Sequence, residues 1–119
     1  MRHEEWRGIA NFARDEFDEP EKMELGLVTV LDKIREAVGS PMIVTSSYRH
    51  GDPRAHGQGM AVDVSDNANG EDVSSSWRFA VLSAALEQGI RRIGIYDRHV
   101  HLDVWPDGPQ DVIWWAKSR

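Results

Sequence analysis

The chain has 119 residues, a formal net charge of -6 and 40% apolar residues, which is the balance of one ordinary globular domain and excludes a disordered segment. The absence of cysteine excludes disulfides, thiolate metal ligands and a cysteine nucleophile. An acidic balance argues against nucleic acid as a partner, and no apolar run approaches the roughly 20 residues that span a bilayer, so no membrane is expected either.

The opening, MRHEEWRGIA, lacks the apolar core of a signal peptide, so cytoplasmic synthesis without one is expected. Residues 3 to 17 carry Trp6, Ile9, Phe12, Ala13 and Phe17 at helical spacing and predict a short amphipathic helix. DEPEKMELGLVTVLDKIREAVGS gives the clearest helix, with Pro20 at its first position, a stripe of Leu27, Leu31, Ile34 and Val38, and Gly39 as its stop. A strand follows from Met42 to about Ser46, then a polar loop from Ser47 to Gly57. MAVDV is a second short strand, with Ala61 and Asp63 on one pleat and Val62 and Val64 on the other. After a loop at residues 66 to 72, a second long helix runs from about Val73 to Gln88, with Trp77, Val81, Ala85 and Leu86 on one face. RRIGIYDRHVHLDVW reads as one long strand or a tight hairpin, and the tail ends in a short apolar DVIWW. This order predicts an α+β fold: one domain over residues 1–119, with a small, largely antiparallel sheet packed against two or three helices.

Two stretches carry possible chemistry. In YDRHVHLDV, strand alternation puts Asp97, His99, His101 and Asp103 on one face. Alone, such a row also suits the solvated outer face of an edge strand. In AHGQGMAVDV, His56 precedes Asp63 by seven residues, with Gly57 and Gly59 between them. A cysteine-free metal site needs a few histidines and a carboxylate, and three of the five histidines lie in these two stretches. His56, Asp63 and His101 converge if their strands pair, and the glycines then let the backbone turn closely around an ion. Two histidines and one carboxylate leave a tetrahedral zinc with an open fourth position, the arrangement of catalytic sites.

TSSYR, HGQGMAVDV and VHLDV, in that order, resemble the zinc D-Ala-D-Ala metallopeptidases, whose superfamily includes vancomycin-resistance dipeptidases, phage endolysins and the hedgehog signalling domain. That family shows Ser-x-His-x-x-Gly-x-Ala-x-Asp and a later His in an apolar-His-x-Asp strand. His56, Gly59, Ala61 and Asp63 match the first, and His101 with Asp103 the second. FARDEF and LDKIREAVGSPMIVTSSYR look like the family's lead-in, and PQDVIWW like the tail of small phage members, so the resemblance covers nearly the whole chain.

The resemblance implies a hedgehog/D-Ala-D-Ala peptidase-like fold with Zn2+ held by His56, Asp63 and His101. Arg49 matches the arginine that holds and polarises a substrate carbonyl or carboxylate. The chain departs from the pattern at the general base: the slot three residues before the final His is Arg98, which cannot act as a base. Asp97 and His99 are therefore assigned to catalysis together, unranked, and Asp103 is expected to orient a ligand. The implied activity is hydrolysis of D-Ala-containing peptidoglycan stem or cross-bridge peptides by a monomer, a phage-released or virion-associated protein. The alternative is a non-catalytic, zinc-bound structural or interaction module of the same fold.

Overall fold

A computed structural model describes residues 1–116 of the chain. Five strands, β1 (Ile43–Ser46), β2 (Ala61–Ser65), β3 (Arg92–Ile95), β4 (Val100–Asp103) and β5 (Val112–Trp115), form one sheet of order β1-β2-β4-β3-β5. Every neighbouring pair is antiparallel except β3 and β5, which run parallel. Helices α1 (Leu25–Val38) and α2 (Ser75–Glu87) pack against each other and against the sheet, completing the α+β fold that the sequence predicts.

Alternation along the strands gives the sheet two unlike faces. Val62, Val64, Ile93, Ile95, Val100 and Leu102 join Leu27, Leu31 and Ile34 of α1 and Trp77, Val81 and Ala85 of α2 in the apolar core. The residues between them, Asp63, Arg92, Gly94, His101 and Asp103, therefore lie on the other face. A core built from one face alone leaves that second face for polar chemistry.

Several expected elements take a different form. Residues 3 to 17 are not one helix but two 3-10 turns, His3–Gly8 and Arg14–Glu16. Between them the chain is tied across α1: the Asp32 carboxylate accepts Ala10 N–H and Asn11 N–H, and Arg35 donates to Asn11 O. Trp6, Phe12 and Phe17 are buried all the same, with ring centroids 5.3 Å apart in each of the pairs Trp6–Phe17 and Phe12–Phe17. Pro20 does not start α1; it opens a separate 3-10 turn, Pro20–Lys22. Met23 is then extended and Glu24 N–H bonds to Gly59 O, so the helix begins only at Leu25. Gly39, at φ +64, ends it as expected.

On α2, Ser74 is the N-cap, its hydroxyl accepting Trp77 N–H. Leu86 is not on the buried face. It is 54% exposed, and Ala84 takes the inward position instead. The long RRIGIYDRHVHLDVW segment is the hairpin β3–β4, closed by Tyr96 N–H to His99 O.

Candidate metal centre

β2 and β4 pair with Asp63 opposite His101, which sets an acid and an imidazole side by side on the polar face. His101 Nδ1 lies 3.0 Å from Asp63 Oδ1. His56 arrives from the 3-10 turn Ala55–Gln58 and places Nε2 3.5 Å from the same oxygen. The ligand atoms of His56, Asp63 and His101 all lie within 4.8 Å of one another, so the group could hold a metal ion.

The donor chemistry fits. His56 Nδ1 donates to Ser47 O at 2.6 Å, which leaves Nε2 with a lone pair for a cation. His101 Nε2 donates to Asp103 Oδ2 at 2.6 Å, which leaves Nδ1 facing Asp63. Both backing acceptors fix a tautomer and a ring orientation, as ligand histidines require. Arg49 Nη2 binds Asp63 Oδ2 at 2.9 Å, leaving Oδ1 toward the histidines, while its Nε donates to Ser46 Oγ.

The electrostatics of the metal-free cluster follow from these contacts. Burial raises the Asp63 pKa, but the hydrogen bond from His101 and the neighbouring His56 ring outweigh it and hold the acid far below the usual carboxylate range. Burial disfavours the charged ring of His101, yet its hydrogen bonds to Asp103 and Asp63 raise its pKa overall. His99 shows the opposite result: burial dominates and lowers its pKa despite the charge of Asp63.

The cluster forms the floor of an open cleft of about 870 Å³. Arg49, Asp52 and Arg54, and the rings of Tyr96, His99, Trp105 and Trp114, line it as well. Trp114 reaches the site because β5 lies beside β3 with Trp114 opposite Gly94. A Cβ at Gly94 would stand 2.6 Å from the Trp114 indole, so only glycine lets the ring lie flat there. The indole then sits 5.2 Å from the His101 ring and donates Nε1–H to Tyr96 Oη. Tyr96 in turn stacks on His99 at 4.3 Å.

Of the site residues read from the sequence, His56, Asp63, His101, Asp103, Arg49 and His99 come together here. Asp97 does not. It is exposed in the turn of the hairpin, where its carbonyl accepts Val73 N–H, so strand alternation does not carry it onto the face of His101. His50 is exposed outside the cleft lining, whereas Asp52 lines it. The glycines near His56 also have another cause than an ion. A Cβ at Gly57 would overlap the Asp52 carbonyl, and one at Gly59, which has φ +68, would overlap the Lys22 carbonyl. Arg92 and the Ser47 carbonyl had no sequence signal of their own; both act through contacts made only on folding.

No protein-family model matches the chain, and neither the curated proteins nor the solved structures give a match. No helix among the described residues is long and apolar enough to cross a membrane.

Proposed function

We propose that the protein is a zinc-dependent peptidase acting on peptidoglycan stem or cross-bridge peptides that contain D-Ala. The observation that carries this reading is the convergence of His56, Asp63 and His101 on the floor of an open cleft. Two imidazole nitrogens and a carboxylate oxygen suit zinc and leave one position open. Zinc held there supplies a Lewis acid for the scissile carbonyl and lowers the pKa of water. The substrate class rests on the ordered resemblance of TSSYR, HGQGMAVDV and VHLDV to the D-Ala-D-Ala metallopeptidases.

The chain's own residues supply the remaining roles. Arg49, half exposed beside Asp63, offers a permanent positive charge to the carbonyl oxygen of the substrate. His99, with Nε2 3.8 Å from Asp63 Oδ1, is placed to accept the proton of the attacking water and return it to the leaving amine. Water thus adds to the carbonyl carbon, the C–N bond breaks, and the nitrogen leaves protonated. Asp103 keeps the His101 ring in place. Tyr96 and Trp114 provide the flat apolar wall against which a peptide can lie.

The test is a digest of purified peptidoglycan, and of a pentapeptide ending in D-Ala-D-Ala, by the zinc-loaded protein, with products read by mass spectrometry. Wild type is expected to release new amino termini. His99→Ala is expected to slow release by about 100-fold or more, and Asp97→Ala to leave it unchanged. Loss with Asp97→Ala would return the base to that residue. No cleavage of either substrate by the zinc-loaded protein would make it a non-catalytic module.

A further inference from the structure

Arg92 stands apart from the ligands yet closes a chain of contacts that ends on one of them. It lies directly opposite Asp103 in the β3–β4 register, and its Nε donates to Asp103 Oδ1 at 2.7 Å. Its Nη1 donates to Pro109 O at 2.7 Å, in the segment that leads to β5. The guanidinium carbon lies 5.5 Å from the Trp105 ring and 5.3 Å from the Trp114 ring. Both partners of the ion pair are buried, with side chains 10% and 1% exposed. Such a pair is costly to bury unless every oxygen is matched. Here it is: Oδ1 of Asp103 accepts from Arg92 and from Trp105 N–H, and Oδ2 accepts from His101 Nε2.

We infer that Arg92 is a positioning residue for the metal centre: it locks the Asp103 carboxylate, and through it the His101 ring, with Nδ1 directed at the ion. This inference rests on the reading of His56, Asp63 and His101 as metal ligands. The physical reasons are two. A carboxylate held at one oxygen only is free to rotate, and the ring it orients turns with it; Arg92 and Trp105 N–H remove that freedom. Arg92 is itself held, by its Nη1–H bond to Pro109 O and by the Trp105 and Trp114 rings beside its guanidinium, so the carboxylate is tied to fixed structure and not to a mobile side chain. Only an arginine has the planar fork that reaches a carboxylate and a backbone carbonyl together while packing between two indoles. A purely architectural arginine would join the β5 segment to the sheet without regard to His101, which gives the two roles different outcomes.

The experiment is a double-mutant cycle with Arg92→Gln and Asp103→Asn, using zinc alone as the probe. The zinc dissociation constant is read by competition with a chromogenic chelator, and ligand geometry by the visible bands of the cobalt(II)-substituted protein. Each single variant is expected to weaken zinc about 10- to 100-fold and to alter the cobalt bands, and the double variant to bind no more weakly than Asp103→Asn. Wild-type affinity and bands in Arg92→Gln, or losses that multiply in the double variant, would overturn the role. Should Arg92→Gln not fold, Arg92→Lys keeps the charge and stem but not the fork; it is expected to weaken zinc in the wild-type background and not in Asp103→Asn. Equal weakening in both backgrounds would overturn the role. A folded wild type that takes up no zinc would overturn the metal reading itself, and the role of Arg92 with it.

Discussion

The cluster of His56, Asp63, His101 and Asp103 places two carboxylates around one imidazole, and this sets how protons and a metal compete. His101 has a raised pKa in the metal-free protein, so on its acidic side a cation must displace a proton from Nδ1. Zinc affinity is therefore expected to climb with pH by about tenfold per unit below that pKa and to level off above it. Chelator competition at a series of pH values reads this slope; an affinity independent of pH across the histidine range would contradict it. Gly94 offers a second residue-scale prediction. Gly94→Ala drives a methyl group into the Trp114 indole, 2.6 Å from its ring atoms. The ring must move, at a cost of about 1–3 kcal/mol, and its hydrogen bond to Tyr96 goes with it. A red shift in tryptophan emission together with a lower denaturation midpoint is the expected signature; an unchanged spectrum would mean that Trp114 does not lie against β3.

At the level of elements, residue pattern located β1, β2, the β3–β4 hairpin and the two long helices, but it left DVIWW as a short apolar tail, whereas Val112–Trp115 is strand β5, paired with β3. It did not reveal the 3-10 turns of the first 22 residues, since that segment is held by bonds from Asp32 and Arg35 to Ala10, Asn11 and Glu16, 19 to 24 residues away along the chain. Leu86 misled for a related reason: α2 turns its Ala84 side inward, a choice made by packing against α1 and invisible in a single helix. The contrast is measurable. Leu31→Ala in α1 is expected to cost about 2–5 kcal/mol, because the side chain is fully buried. Leu86→Ala should change stability by less than about 1 kcal/mol. Equal losses in denaturant titrations would contradict this division of the two helices. In the site, the grouping of His56, Asp63 and His101 was anticipated only on the condition that their strands pair, which β2 and β4 do. Asp97 was misplaced because strand alternation was carried across a hairpin turn.

Across the whole molecule, the sheet separates labour between its faces: one is filled by α1 and α2, the other holds ionisable groups under a cleft. Concentrating Asp63, His101, Asp103, Arg92 and Arg49 there costs stability unless each charge has its partner, which the hydrogen bonds between them provide. An ion bound only by the folded chain would add to that stability, by about 2.7 kcal/mol at a zinc concentration 100-fold above the dissociation constant. The decisive experiment is elemental analysis of the purified, folded protein beside His56→Ala, with His50→Ala as a control outside the cleft. About one zinc per chain in wild type and in His50→Ala, and none in His56→Ala, is the expected result for a three-ligand site. Folded wild type without zinc, or His56→Ala that retains it, would show that the cluster is a hydrogen-bonded network beneath a cleft and not a metal centre.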